Sequence, residues 1–140
     1  MKQILITLSL LLLFSGCSDK PITKLYKSAT KEPITCLRLY ITPANPEMER
    51  IMMDLYPFNS ACPVVLEVKH KENICCNSNQ NVVQKTCSPF PHHFLRLEVR
   101  RGFQRLYSYY IDLHAPADKD DLIKAFQQMQ HDLSIKKSSK

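Results

Sequence analysis

Cysteine is the residue type in this sequence whose chemistry depends most on spacing and compartment. Beyond the N-terminal segment, the chain carries Cys36, Cys62, Cys75, Cys76 and Cys87. In an oxidising compartment, the cysteines of a small domain usually form disulfides. Because their number is odd, at least one thiol stays outside an intramolecular pair, and the sequence leaves the connectivity open. We favour a pair between Cys36 and Cys62, and a second between Cys87 and either Cys75 or Cys76, whose strand arms would be adjacent.

A metal site is the competing interpretation of the later cysteines, because His70, His92 and His93 lie close to them in sequence. Thiolate and imidazole are ligands for zinc and copper. Structural zinc sites use paired ligands a few residues apart, whereas Cys75 and Cys76 are adjacent and would point to opposite faces of a strand. The sequence also has no Cys-x-x-Cys pair for redox chemistry. We therefore expect disulfides, with neither a metal nor another cofactor.

Catalysis has weaker candidates than disulfide formation. His92, His93 and His114 are possible bases, but no serine or cysteine has the sequence context of a nucleophile elbow or a triad. The adjacent carboxylates Asp120 and Asp121 lie at the start of a predicted helix, where a favourable interaction with the helix dipole explains them. The sequence therefore predicts a protein that is not an enzyme.

A basic and aromatic segment in the C-terminal half is the best candidate for binding a partner. Its members are Arg96, Arg100, Arg101, Arg105, Tyr107 and Tyr109. If they share one face of a sheet, their alternation suits phosphate groups or a protein surface. Outside the cytoplasm, the phosphates are those of lipopolysaccharide or anionic lipids, and no nucleic acid is expected. The alternative is a solvated sheet face on which Arg and Tyr side chains stack across strands.

These arginines and tyrosines depend on a predicted β-hairpin for their positions. Two alternating stretches, residues 94–100 and 103–113, are separated by Arg101 and Gly102, and glycine supplies the positive φ of a tight turn. The predicted register pairs Arg100 with Phe103. It thereby places Leu97 opposite Leu106 and Glu98 opposite Arg105, and both pairings are favourable.

Two amphipathic helices and two further strands complete the predicted domain. The strands are residues 35–42 and 64–70, and the helices begin after the capping residues Asn45 and Asp118. The apolar stripes are Met48, Ile51, Met52 and Leu55 in the first helix and Leu122, Ala125, Phe126, Met129 and Leu133 in the second. This order predicts an α+β fold: a small, mostly antiparallel sheet of about four strands with two helices packed on one face.

Composition excludes several classes of protein. The chain has 140 residues with 44% apolar and 23% charged content, which is enough for one globular domain. With two glycines, it has no glycine-rich loop that could wrap a nucleotide phosphate. Its nine prolines argue against a long helical rod. We expect a single domain over residues 33–135 and a frayed basic tail over residues 136–140.

The N-terminus has the pattern of a secretory signal peptide. After Lys2, an apolar run of residues 4–14 is interrupted by Thr7 and Ser9 alone. A helix of about eleven residues rises about 16 Å, whereas a membrane span needs roughly 20 residues. The segment therefore predicts export rather than a transmembrane anchor.

The end of this segment, Leu13-Phe14-Ser15-Gly16-Cys17, resembles the lipobox of bacterial lipoproteins. The resemblance implies a signal peptide over residues 1–16 and a Cys17 that carries diacylglycerol and palmitate. Residues 18–32 mix Ser, Thr, Lys and Pro without a sustained period, so we expect a lipid-held tether over residues 17–32. Ser18, rather than an aspartate after the lipidated cysteine, resembles cargo sorted to the outer membrane.

The order of elements loosely resembles small lipoproteins of envelope assembly. That resemblance implies an accessory or assembly factor without enzymatic activity, anchored in the cell outer membrane and facing the periplasm. Its partners would be membrane lipid, through acylated Cys17, and an envelope protein complex. The alternative is a lipoprotein that binds a small ligand or a metal ion.

Overall fold

The computed structural model describes residues 20–74 and 91–135. In them a short strand β1 (Ile22–Leu25) and a 3-10 turn (Lys27–Thr30) precede the expected elements. The remaining elements are β2 (Arg38–Thr42), α1 (Pro46–Leu55), β3 (Val64–Lys71), β4 (His93–Arg101), β5 (Gln104–Leu113) and α2 (Lys119–Asp132). The sheet order is β1-β5-β4-β3-β2, and β2 and β3 are parallel while the other pairs are antiparallel. The α+β class is confirmed, with one strand more than expected.

The additional strand corrects the expected tether of residues 17–32. Ile22–Leu25 pairs with β5, so that Ile22 lies opposite Tyr110 and Leu25 opposite Tyr107. The backbone N–H of Tyr26 then donates to the carbonyl of Leu106 at 3.0 Å. Because all four residues of β1 are exposed, no apolar alternation marks the strand in the sequence. The domain thus begins about ten residues earlier than expected.

Both helices begin where the sequence predicts. The side chain of Asn45 accepts hydrogen bonds from the backbone of Glu47 and Met48, each at 3.1 Å, and Pro46 occupies the first helical position. Asp118 and Asp121 form a reciprocal capping box at the start of α2. The predicted stripes point into one core, whose buried members include Met48, Ile51, Met52, Leu122, Ala125, Phe126 and Met129. No helix among the described residues is both long and apolar enough to cross a membrane.

A disulfide joins Cys36, just before β2, to Cys62, just before β3, with an S–S distance of 2.04 Å. The expectation for this pair is confirmed. Cys17, Cys75, Cys76 and Cys87 lie outside the described residues, as do the signal segment 1–16 and the tail 136–140.

The β4–β5 hairpin forms, but its predicted register is wrong. Gly102 and Phe103 both occupy the turn, so that Arg101 pairs with Gln104 and Arg100 with Arg105. The next pair is Val99 with Tyr107, which leaves Leu106 as an extra residue on β5, that is, a β-bulge. Leu97 therefore faces Tyr109 instead of Leu106.

The turn glycine gives a first testable prediction. Gly102 has a φ of +56°, and a Cβ added there would meet no atom within 4 Å. The penalty in Gly102→Val is therefore backbone strain without a clash, and we expect it to lower the free energy of unfolding by about 1–2 kcal/mol. Gly102→Asn is the control. Asparagine tolerates a positive φ better than valine, so this variant should lose less free energy of unfolding. Urea unfolding measures both, and equal midpoints for the two variants would contradict the turn geometry.

Candidate functional site

The sheet has one face covered by the helices and a second face that no described helix covers, which we call the open face. Side chains alternate between these faces, and the core-facing residues of β3 and β4 include Val64, Leu66, Val68, Leu95, Leu97 and Val99. On the open face, cross-strand neighbours form rows. One row is Tyr40, Glu67, Glu98, Ser108 and Lys24, and the next is Thr42, Lys69, Arg96, Tyr110 and Ile22.

The structure divides the predicted arginine and tyrosine set between the two faces. Arg96, Arg100 and Arg105 lie on the open face. Arg101 instead binds Glu32, with 2.7 Å between Nη1 and Oε2. Tyr107 and Tyr109 are 0% and 4% exposed in the core, so the expectation that they share a face with the arginines is wrong.

The bulge at Leu106 is the physical reason for this division. An extra residue on one strand reverses the facing of every side chain beyond it. Leu106 and Tyr107 are consequently both buried, although they are adjacent in sequence. Tyr110, rather than Tyr109, therefore lies beside Arg96.

A buried carboxylate lies at the centre of the open face. The side chain of Glu98 is 2% exposed and forms ion pairs with Arg100 and with Arg105, whose Nε lies 3.1 Å from Oε1. Glu67 is the direct cross-strand neighbour of Glu98, and its carboxylate lies 3.9 Å from the same Arg100 guanidinium. Glu98 lies opposite Ser108, so the predicted pairing of Glu98 with Arg105 is wrong, and the ion pair between these two side chains is diagonal. The two arginines balance two adjacent carboxylates, which would otherwise repel each other.

Tyr26 extends this cluster toward the edge of the sheet. Arg105 Nη1 donates to the Tyr26 hydroxyl at 3.1 Å, and Lys24 Nζ lies 4.9 Å from the centre of the same ring. The hydrogen bond from Arg105 lowers the pKa of the Tyr26 phenol. Sequence reasoning missed Tyr26 and Lys24 because both lie in the segment interpreted as a tether.

Among the described residues, basic side chains outnumber acidic ones on the open face. The basic side chains are Lys24, Arg38, Lys69, Lys71, Arg96, Arg100 and Arg105, and the acidic ones are Glu67, Glu98 and Asp112. Comparison with protein families, curated proteins and solved structures finds no match. The chemistry of this face is therefore the available basis for a functional inference.

Aromatic side chains border the basic residues at the end of the face away from the hairpin turn. The rings of Phe94 and Tyr110 lie 5.6 Å apart, and the Tyr110 hydroxyl donates to Asp112 at 2.6 Å. Burial, followed by the hydrogen bond to Asp112, raises the pKa of Tyr110 to about 12. This tyrosine therefore stays a neutral hydrogen-bond donor at physiological pH.

Tyr107 has a structural role on the covered face. Its buried hydroxyl donates to Asp132 at the end of α2, with 2.8 Å between Tyr107 Oη and Asp132 Oδ2. Burial alone would raise the pKa of the Asp132 carboxyl. Hydrogen bonds from Tyr107, His131 and Gln128 outweigh that effect and lower the pKa of the Asp132 carboxyl below its ordinary value of 3.8.

This hydrogen bond predicts a pH-dependent loss of stability. At pH 7, Tyr107→Phe should lower the free energy of unfolding by about 2 kcal/mol, because the partner is charged. Since the folded-state pKa of Asp132 is lowered, the stability it contributes is complete above pH 3.8 and is lost as pH falls through the folded-state value. Urea unfolding at several pH values should show that the difference in free energy of unfolding between the wild type and Tyr107→Phe narrows below pH 3.8. Tyr109→Phe is the matched control, because the hydroxyl of this buried tyrosine makes no hydrogen bond to another described residue, and an equal loss in both variants would contradict this role.

Two of the three histidines considered as metal ligands, His70 and His92, contact backbone carbonyls, whereas the buried Nδ1 of His93 has no hydrogen-bond partner among the described residues. His70 Nε2 lies 3.1 Å from the carbonyl of Pro43, and His92 Nδ1 lies 3.3 Å from that of Ile74. His93 is 8% exposed. Among residues 20–74 and 91–135, no group of three or more His, Cys, Asp or Glu side chains could hold a metal ion. A shallow cavity of about 200 Å³ lies at the β2 edge, lined by Leu39, Tyr40, Ile41, Ala44, Asn45 and Glu49.

Proposed function

We propose that this chain is an exported lipoprotein, anchored through acylated Cys17 in the outer membrane and facing the periplasm. It acts without catalysis, as an accessory or assembly factor that docks on another envelope component. The signal-like N-terminus and the lipobox-like residues before Cys17 support the anchor. The Cys36–Cys62 disulfide is consistent with an oxidising compartment.

The observation that carries the docking role is the tip of the β4–β5 hairpin. Phe103 is 109% exposed there, which is extreme for a large aromatic side chain. Arg100 and Arg105 flank it on the open face and are 41% and 46% exposed. Aromatic and arginine side chains are enriched where protein interfaces derive most of their binding energy. This tip therefore has the composition of a protein-binding surface.

The position of the proposed anchor also favours the hairpin tip as the docking surface. β1 enters the sheet at Ile22, opposite Tyr110, seven residues along β5 from Phe103. At about 3.3 Å per residue, the tip lies roughly 23 Å from this entry point. The five residues from Cys17 to Pro21 span at most about 17 Å. With the strands upright on the membrane, the tip points away from the lipid and toward other envelope components.

Two measurements in intact cells test this proposal. Metabolic labelling with an alkyne fatty acid should mark the wild type and leave Cys17→Ala unlabelled, because that variant lacks the acylated thiol. A photo-crosslinking residue at position 103 should give one adduct of defined mass with an envelope protein. The same residue at position 124, exposed on α2, is the control and should give none.

Phe103→Ala tests the contribution of the tip to docking. We expect at least a tenfold loss of the crosslinked partner in co-purification with the variant, since central aromatic residues often contribute 2 kcal/mol or more to binding. Met53→Ala is the matched control, because Met53 is a 48% exposed apolar residue on α1. Equal partner recovery with both variants would contradict docking through the hairpin tip.

A further inference from the structure

One row of the open face differs from its neighbours in how its charges are balanced. It runs across all five strands as Thr42, Lys69, Arg96, Tyr110 and Ile22. Lys69 and Arg96 are direct cross-strand neighbours, so two positive charges lie side by side at its centre. We call Thr42, Lys69, Arg96 and Tyr110 the basic row.

Like charges opposite each other on a sheet are destabilising unless another group compensates them. The Arg100 and Arg105 pair has such a group, since Glu98 binds both guanidinium groups. Among the described residues, no carboxylate forms an ion pair with Lys69 or Arg96. The basic row therefore holds two adjacent cations whose mutual repulsion an external anion would relieve.

Unpartnered polar atoms lie in the same row. The hydroxyl oxygen of Thr42 and Nε of Arg96 are buried and have no hydrogen-bond partner among the residues that the structure describes. Buried polar atoms nearly always have partners in native proteins. The two atoms flank Lys69, whose ammonium group supplies further donors. Arginine and lysine together match the oxygens of a phosphate group.

We infer that the basic row binds the phosphate group of an anionic lipid headgroup. The choice of a lipid rests on the proposed function, because an acylated Cys17 would hold this row close to a membrane. Ile22, five residues after Cys17, ends the row and is 69% exposed. The tether therefore enters the sheet at the row itself, within about 17 Å of the anchor. Tyr110 within the row and the neighbouring Phe94 supply aromatic rings, and the amphipathic ring of the tyrosine suits a lipid interface.

Lysine reactivity in nanodiscs tests this inference. The full-length mature protein, purified with its anchor, is placed in discs of phosphatidylcholine alone or mixed with phosphatidylglycerol. Acylation by an amine-reactive ester is then followed at each lysine by mass spectrometry. We expect Lys69 to react about fivefold more slowly in the phosphatidylglycerol discs, the effect of one basic residue at an anionic surface. Lys124, exposed on α2, should react equally in both discs.

Two variants separate the basic row from general attraction to an anionic surface. Arg96→Gln should abolish the slower reaction of Lys69, whereas Arg38→Gln, which removes a positive charge from another row, should retain it. If Arg96→Gln does not fold, the wild-type protein alone still tests the inference. Equal slowing of Lys124 and Lys69 by phosphatidylglycerol in the wild type would overturn it. Inorganic phosphate added to phosphatidylcholine discs is a further test. If it slows the reaction of Lys69 as much as phosphatidylglycerol does, the row is a site for free phosphate, and the assignment of a lipid headgroup is overturned.

The intact mass of the purified protein distinguishes the two proposals. An acylated protein whose Lys69 reacts equally in both discs would overturn the basic row as a lipid site and leave the anchor standing. A chain without acyl groups would overturn the anchor. Its Lys69 reactivity with phosphatidylglycerol vesicles would then still decide whether the row recognises the headgroup.

Discussion

We expect Phe126→Ala to lower the free energy of unfolding by about 4 kcal/mol, the largest effect of any single substitution considered for this chain. Phe126 is 1% exposed and lies on the buried stripe of α2. Its ring makes edge contacts with Tyr56 and Phe58, at centroid distances of 6.0 and 6.1 Å. The substitution removes both aromatic contacts and leaves a cavity where the two helices meet the sheet.

Phe103→Ala is the matched control for this prediction. It deletes the same atoms from a side chain that is 109% exposed, so the free energy of unfolding should change by less than about 0.5 kcal/mol. Urea unfolding followed by circular dichroism gives both values. A loss of less than about 1 kcal/mol in Phe126→Ala would contradict the packing of α2 on the sheet.

The helices were predictable because their signals are local. A capping residue, a proline or carboxylate in the first turn and an apolar stripe all lie within one short stretch of chain, as at Asn45 with Pro46 and at Asp118 with Asp121. The alternation of Val64, Leu66 and Val68 likewise shows the buried face of β3 without reference to any other strand.

The register of the hairpin was not predictable because it depends on a bulge. Leu106 and Tyr107 are both apolar enough to be buried, so the sequence does not show which of them is the extra residue. The bulge reverses the facing of the tyrosines, and for this reason the predicted site included Tyr107 and Tyr109 instead of Tyr110. Arg96 and Arg100 lie on the open face as predicted because they precede the bulge in the chain, whereas Arg101, adjacent to Arg100, points to the other face and binds Glu32.

The neighbours of those arginines come from distant segments. Glu67 reaches the site through β3 pairing, and Lys24 and Tyr26 reach it through a strand of four exposed residues. The pairing of β3 with β4 and that of β1 with β5 leave no pattern in a single sequence, because strand pairing depends on tertiary contacts. The sequence therefore predicted the positive charge of the face, whereas the division into a compensated cluster and a basic row required the structure.

The second large effect concerns the Cys36–Cys62 disulfide. The bond closes a loop of 26 residues that contains β2 and α1. A crosslink over this span restricts the unfolded chain, and the loop-entropy relation gives about 3.5 kcal/mol. We therefore expect Cys36→Ala/Cys62→Ala to lower the free energy of unfolding by about that amount. Replacing both residues avoids leaving an unpaired thiol at Cys62, which is 2% exposed.

Reductant separates this bond from any disulfide formed by the other cysteines. Urea unfolding of the wild type and of Cys36→Ala/Cys62→Ala is measured with and without reductant. Reductant lowers the free energy of unfolding of each protein by some amount. The amount by which this loss is larger in the wild type than in the double variant is due to the Cys36–Cys62 bond alone. It should equal the stability difference between the two oxidised proteins, because both measure removal of one crosslink. If reductant destabilises the two proteins equally, the bond between Cys36 and Cys62 does not stabilise the fold, and the prediction is contradicted.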